Sequence, residues 1–148
     1  MLLQKHLPQP ANYKILATAP SEEVLKTGRN GVFPKGELRK IPKDLHEGTL
    51  VPGAGQVADW FKVSDSVCRR MAFKPHELKD STYPGDEVFD LILCREVFLQ
   101  LPVDGQRRLL SKFHRSAKKG AWLVISNEDS VGDADLWEKV EPTLLRKI

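Results

Sequence analysis

Residues 89–101, FDLILCREVFLQL, decide the fold. The first five form a nearly continuous apolar run, which is typical of a strand buried on both faces in a parallel sheet. Cys94, Arg95 and Glu96 follow directly. Because ligands bind beyond the carboxyl ends of strands in open α/β sheets, this turn is a predicted ligand site. One alternative stays open: Cys94 is a small buried hydrophobe, and Arg95 and Glu96 form only a local ion pair.

Strands and helices alternate on both sides of this stretch. Upstream, residues 13–18 (YKILAT) predict a strand, and Ser21 predicts the N-cap of a helix that ends near Gly31. Downstream, an amphipathic helix begins near Val103, and residues 121–126 (AWLVIS) predict another strand. This alternation favours an α/β fold with a mostly parallel sheet and helices on its faces.

Weaker patterns cover the remaining segments of the chain. Residues 67–73 predict a further strand, followed by a turn that contains His76 and Glu77. No Ser or Cys nucleophile is placed beside His76, so we expect no catalytic role for it. Residues 118–120, two lysines and a glycine, predict the C-terminal end of the downstream helix. Residues 136–148 fit either an amphipathic or an extended tail.

A glycine-rich segment interrupts the α/β alternation. Residues 46–66 contain two short apolar runs, at 49–51 and 60–63, between glycines and a proline. They predict a small hairpin or meander inserted into the layer. Its aromatic residues Trp60 and Phe61 form either the core of this small β-subdomain or a docking surface for a partner protein.

Length and composition exclude several classes of protein. A chain of 148 residues predicts a single domain over residues 1–148. The net charge of +3 is spread along the chain, which argues against nucleic-acid binding. Cys68 and Cys94 have no disulfide or metal-ligand spacing, so we expect no metal and a reducing, cytoplasmic location. No apolar run approaches the roughly 18 residues of a membrane span.

Several stretches resemble the CheR family of chemotaxis methyltransferases. Residues 89–97 (FDLILCREV) are similar to its fourth-strand motif, an FD strand followed by Cys-Arg-Asn-Val. Residues 15–25 resemble its second strand and helix, and residues 118–128 its Lys-Pro-Gly-Gly strand and Gly-His-Ser-Glu end. The resemblance extends from about Tyr13 onward. It implies a Rossmann-like class I methyltransferase sheet, S-adenosylmethionine as cofactor, and methylation of receptor glutamates, with residues 46–66 as a β-subdomain that docks the receptor tail in some members.

The positions that the resemblance assigns to the cofactor are mostly changed. Ala19 stands where the family has an acid that binds the ribose, Glu77 and Glu96 stand where it has Asn, and Gln100 where it has Tyr. An ionised carboxylate accepts hydrogen bonds but donates none, so both Asn-to-Glu changes remove a donor. The family's first strand and glycine-rich cofactor loop have no counterpart before Tyr13. By resemblance, the cofactor-binding positions are Ala19, Glu77, Leu78, Cys94, Arg95 and Glu96.

We therefore expect a truncated, degenerate CheR-like domain with no catalytic residues and no cofactor. Its expected role is a protein-binding or regulatory module in chemotaxis-type signalling, with a receptor tail or a signalling protein as partner. Without the first strand, the second and fourth family strands have unpaired edges, which pair with each other or with a second copy or partner chain. The alternative is an S-adenosylmethionine-dependent protein-glutamate O-methyltransferase, either as a fragment of a longer protein or assembled with a partner.

Overall fold

The computed structural model describes residues 1–8, 12–78, 88–129 and 135–148. The chain divides into two compact units, Met1–Glu77 and Leu78–Ile148. The elements of the first unit are α1 (Leu2–His6), β1 (Ile15–Ala19), α2 (Glu22–Asn30), β2 (Val32–Pro34), 3₁₀ turns at Lys35–Lys40 and Lys43–Leu45, β3 (Leu50–Pro52), a 3₁₀ turn at Gly55–Val57, β4 (Trp60–Val63), α3 (Asp65–Cys68) and β5 (Met71–Pro75). Those of the second are β6 (Phe89–Leu93), a 3₁₀ turn at Phe98–Gln100, α4 (Val103–Ser116), β7 (Ala117–Val124), β8 (Trp137–Glu141) and β9 (Leu144–Lys147).

The β1–α2–β5 part of the first unit follows from local signals in the sequence. The Ser21 hydroxyl accepts a hydrogen bond from the Val24 amide at 3.4 Å, and Gly31 ends α2 in the left-handed conformation with φ +62°. Both features confirm the predicted helix boundaries. β1 and β5 are parallel and in register from Ile15 opposite Met71 to Ala19 opposite Pro75. The predicted strand at residues 67–73 begins later than expected, because its first residues belong to the helical turn α3.

The small sheet of the first unit is antiparallel, in the order β2-β4-β3. Its core is aromatic: Phe61 is buried and lies 5.8 Å from Phe33, measured between ring centroids. The predicted strands near residues 49–51 and 60–63 are present as β3 and β4. The third strand, β2, precedes the predicted segment 46–66, so the small sheet draws on more of the chain than the sequence indicated.

The second unit is a four-stranded mixed sheet, in the order β6-β7-β9-β8, with α4 packed on it. β6 and β7 are parallel, whereas β7, β9 and β8 pair antiparallel. The helix contributes the buried face that the sequence predicted. The core cluster contains Cys94, Phe98, Leu109, Leu110, Phe113, Ala117, Ala121, Leu123, Ile125, Trp137 and Leu145.

One expectation for the second unit is wrong, and one that had two alternatives is decided. Gly120 does not cap α4: the helix ends at Ser116, the extended residue Ala117 starts β7 directly, and Gly120 lies inside β7 with φ +73°. The tail is a β-hairpin, β8–β9, which confirms the extended alternative for residues 136–148. It contacts α4 through the Trp137 indole, which donates to the Leu110 carbonyl at 3.2 Å. Both features depend on pairing with distant segments, which no local pattern reports.

The α/β class is confirmed, but most strand pairs among the residues described are antiparallel, and only β1–β5 and β6–β7 are parallel. In its own sheet, β1 pairs with β5 and is an edge strand among the residues described, and β6 is likewise an edge strand beside β7. How these edges are completed stays a prediction. None of the helices in residues 1–8, 12–78, 88–129 and 135–148 has the length and hydrophobicity needed to cross a membrane.

Candidate functional site

The carboxyl end of β6 places Cys94 inside the protein. Its amide donates to the Val124 carbonyl at 2.9 Å, which extends the pairing with β7 by one residue, and its side chain is buried in the core cluster. Burial, together with the nearby negative charge of Asp129, raises the pKa of the Cys94 thiol to about 12. The thiol is therefore protonated at neutral pH and is a poor nucleophile. This agrees with the alternative in which Cys94 is a small buried hydrophobe.

The next two residues leave the core. Arg95 and Glu96 both have exposed side chains. Within the part of the chain that the structure describes, no ion pair joins them, so the second half of that alternative is not observed. Their charged groups are available at the strand end.

Glu96 has an unusual backbone conformation. Its φ is +60°, and it is the only non-glycine residue in the described ranges with a positive φ. This region is uncommon for a residue with a Cβ atom, and it persists only where surrounding contacts hold it. Two acceptors hold the Glu96 amide: Ser126 Oγ at 3.1 Å and Asp129 Oδ2 at 3.0 Å. On the other side, the Gln100 side-chain amide donates to the Glu96 carbonyl at 2.7 Å.

Asp129 is only 6% exposed, and it accepts four hydrogen bonds from the residues that the structure describes. Besides the Glu96 amide, it accepts from the Leu99 amide at 3.3 Å, from the Ser126 amide at 3.1 Å and from the Ser126 hydroxyl at 2.6 Å. Burial raises the pKa of the Asp129 carboxyl, but the hydrogen bonds from Ser126, Leu99 and Glu96 outweigh burial, and the net pKa is below its usual value. The group is therefore an ionised, fully engaged acceptor.

The role of Ser126 and Asp129 was not predicted from the sequence. The only signal was the Ser-x-x-Asp spacing just after a predicted strand, a pattern in which side chains bind nearby backbone amides. The hydrogen bonds to Glu96 and Leu99 span about 30 residues of chain. Sequence spacing therefore cannot reveal them.

In the first unit, the structure brings together the strand ends that hold Ala19 and Glu77. Ala19 lies opposite Pro75 at the matching ends of β1 and β5, and the His76 amide donates to the Ala19 carbonyl at 3.1 Å. Ala19 is half-buried and Glu77 is exposed. The Ala19 side chain is a methyl group, so this strand end offers no side-chain acceptor at that position.

Leu78, the remaining predicted cofactor position, is the first residue of the second unit. Its side chain is exposed, and its carbonyl accepts a hydrogen bond from Lys112 Nζ at 3.0 Å. Among the residues described, no group of three or more His, Cys, Asp or Glu side chains could hold a metal ion.

The predicted partner-binding aromatics lie on opposite faces of the small sheet. Phe61 belongs to the buried side, whereas Trp60 is 45% exposed. Because directly opposite residues of an antiparallel pair share a face, the strand register defines the outward side. We call this side the outer face of the small sheet; its residues are Val32, Pro34, Val51, Trp60 and Lys62.

The chain is an α/β protein in which each unit has one parallel strand pair, β1 with β5 and β6 with β7, and predicted ligand positions follow the carboxyl ends of β1, β5 and β6. A small antiparallel sheet is inserted between β1 and β5 in the chain order. Residues 1–145 match the family described as CheR methyltransferase, SAM binding domain, and the chain belongs to this family. The resemblance inferred from the sequence is thereby confirmed.

Curated relatives of the chain are chemotaxis protein methyltransferases. The protein from Borreliella burgdorferi is 30% identical over 135 residues, which is 90% of this chain and 46% of the relative. The one from Vibrio parahaemolyticus is 29% identical over 137 residues, 90% of this chain and 49% of the relative. The one from Escherichia coli is 27% identical over 123 residues, which is 82% of this chain and 42% of the relative. The chain thus spans about half the length of the curated relatives it matches.

Proposed function

We propose that this chain, on its own, is a cytoplasmic protein-binding or regulatory module of chemotaxis-type signalling that does not bind S-adenosylmethionine. The observation that carries the proposal is the strand end at Ala19, where a methyl group stands at the position that the family resemblance assigns to the ribose acceptor. A lost hydrogen bond to a charged group costs about 1.5–3 kcal/mol. At β6, the Glu96 amide is already engaged by Ser126 and Asp129, so it is not available to a ligand.

Calorimetric titration with S-adenosylmethionine and with its demethylated product tests this proposal. We expect no binding tighter than about 100 μM, which corresponds to roughly −5.5 kcal/mol. The variant Ala19→Asp restores an acceptor at the end of β1 and should strengthen any residual binding, whereas the matched variant Ala19→Leu should not. Binding of the unmodified chain below 100 μM would defeat the proposal.

The outer face of the small sheet is the proposed docking surface for the protein partner. Trp60 is its exposed aromatic anchor, and Val51, 52% exposed, lies on the same face opposite Lys62, diagonally from Trp60. Trp residues are enriched among the positions that dominate binding energy at interfaces. Lys62 sits between Val32 and Val51 in the register and is paired with Asp65 at 3.1 Å, so its charge is partly neutralised.

A titration with peptides from chemoreceptor tails, monitored by tryptophan fluorescence, tests this surface. Val51→Lys places a charge on the outer face and should weaken binding by about tenfold or more, equivalent to 1.4 kcal/mol. Val57→Lys is the matched control, because Val57 is similarly exposed, at 55%, but lies in a 3₁₀ turn outside the face. Equal effects of both substitutions would remove the outer face from the proposal.

A second candidate function is methyl transfer to protein glutamates by an assembly that includes this chain. Two observations favour it. One is the family membership with its methyltransferase relatives, and the other is the exposed apolar side of the edge strand β6. Ile92 packs on the core, so Leu91 and Leu93 lie on the other side of the sheet, where they are 42% and 69% exposed. An edge strand with an apolar outer side is suited to accept a further strand or a covering element from a second copy or a partner chain.

Reconstitution separates the two functions. The part of the Borreliella burgdorferi relative that this chain does not cover is mixed with the chain, and transfer of a labelled methyl group to receptor glutamates is measured. Under the assembly hypothesis, only the mixture is active, and Leu93→Lys abolishes activity whereas the similarly exposed Leu2→Lys does not. Transfer by the chain alone would refute the module proposal. Light scattering on the chain alone tests whether a second copy fills the edge.

A further inference from the structure

The loop after β6 is held by a network built entirely from this chain. We call Ser126 and Asp129 the Ser126–Asp129 clamp. The two carboxylate oxygens of Asp129 bind different points of the loop. Oδ2 accepts a hydrogen bond from the Glu96 amide, and Oδ1 accepts one from the Leu99 amide. Ser126 in turn fixes Oδ2 through both its own amide and its hydroxyl. The end of β7 is thereby tied to two points of the loop three residues apart.

These contacts explain how Glu96 keeps its left-handed backbone. The peptide group before Glu96 is held by the clamp through the amide, and the one after it is held by Gln100 through the carbonyl. A non-glycine residue in this conformation is stable only when its neighbours over-determine it. Here every partner is a side chain of the same unit, so no bound ligand is needed to form the turn.

We propose that Asp129, together with Ser126, is the positioning residue of the strand-end site. It fixes the turn at Glu96 before any ligand or partner binds. The backbone that carries the exposed Arg95 and Glu96 side chains therefore has a fixed geometry in advance. The proposal treats the β6 strand end as the ligand site that the sequence predicts, and it does not depend on the docking surface of the small sheet. A preset turn needs no ordering when a ligand binds, which favours affinity for whichever polar group is recognised there.

Amide hydrogen exchange on the intact, isotope-labelled chain tests the positioning role. In Asp129→Asn, exchange of the Glu96 and Leu99 amides should accelerate by at least about tenfold, because charged acceptors make the stronger hydrogen bonds. Exchange of the Leu123 amide, in β7 where that strand lies between β6 and β9, should stay unchanged and serves as the internal control. In the conservative variant Asp129→Glu, protection of the loop amides should be partly restored. Unchanged protection at Glu96 and Leu99 in Asp129→Asn would overturn the proposal.

A rescue experiment separates positioning from a general structural role. Glycine adopts a positive φ without steric cost, so Glu96→Gly should make the chain less sensitive to Asp129→Asn. The matched variant Arg95→Gly changes a neighbouring exposed residue that has no positive φ and should give no rescue. If the effects of Glu96→Gly and Asp129→Asn on unfolding are simply additive, Asp129 does not set the turn.

A milder variant covers the case in which Asp129→Asn does not fold. Ser126→Ala keeps the carboxylate but removes one acceptor of the Glu96 amide and one donor to Asp129. It should speed exchange of the Glu96 amide more than that of the Leu99 amide, because of these two amides only that of Glu96 donates to Ser126. Equal acceleration at both amides would contradict the proposal. None of these measurements uses S-adenosylmethionine or a receptor peptide, so their outcome is independent of the tests of the proposed function.

Discussion

Raising the pH should destabilise the chain through Cys94, which is buried in the core of the second unit. Its pKa is raised to about 12 by burial and the nearby charge of Asp129, from an ordinary value of 9.0. The folded state therefore holds the thiol proton more tightly than the unfolded chain does. The associated stability is fully present below pH 9 and is lost as the pH rises from 9 towards 12.

The size of the effect follows from this shift. At pH 10, one unit above the ordinary pKa, the loss is about 1.4 kcal/mol relative to neutral pH. Urea unfolding at pH 7.5 and at pH 10, followed by tryptophan fluorescence, measures it, since Trp137 is buried in the same core cluster. The comparison is with Cys94→Ala, in which the pH-dependent loss should be smaller by that amount. Loss of the sulfur contacts lowers the free energy of unfolding of the variant equally at pH 7.5 and at pH 10, so it cancels in the comparison.

All other effects of pH are common to the chain and to the Cys94→Ala variant, so the difference isolates Cys94. If the chain and the variant lose the same stability between pH 7.5 and pH 10, burial does not hold the Cys94 thiol in its protonated form. A thiol-reactive reagent gives a second check: at neutral pH it should label Cys94 only under unfolding conditions.

Three further substitutions test the packing described above. Ser21→Ala removes the N-cap of α2 and should lower the free energy of unfolding by about 1 kcal/mol, measured by urea denaturation and circular dichroism; no change would contradict the cap. Trp137→Phe removes the indole that donates to the Leu110 carbonyl and should cost about 1 kcal/mol in the same assay, against none if the bond is weak. Lys147→Met removes the ammonium that donates to the Ala117 carbonyl at 2.7 Å and should lower the melting temperature in calorimetry; an increase would show that burying this charge is the larger effect.

The parts of the fold that the sequence predicts are those with local causes. Ser21 and Gly31 set the ends of α2 through contacts within one or two helical turns. The apolar run of β6 and the three-to-four spacing of Leu109, Leu110 and Phe113 in α4 are likewise visible without any tertiary information. In each case the residue types and their spacing determine which backbone groups and side chains can be satisfied.

The features that the sequence does not predict depend on distant pairing. β2 has three residues and exists because it pairs with β4, about 28 residues later in the chain. The tail becomes a hairpin because β9 adds to β7, where Leu145 enters the core. The Ser126–Asp129 clamp joins the loop after β7 to the loop after β6 by hydrogen bonds. A strand-end site was predicted at β6, whereas the residues that shape it were not.

The C-terminal hairpin also affects the order in which the protein folds during synthesis. β1 and β5 can pair once Pro75 has left the ribosome. The core of the second unit, by contrast, contains Leu145 and Trp137 from the hairpin, so it cannot close until that hairpin emerges. At translation speeds of roughly 5–20 residues per second, the apolar segments of β6 and α4 stay exposed to solvent for seconds. During that interval they are available to chaperones, or to a partner that is already folded.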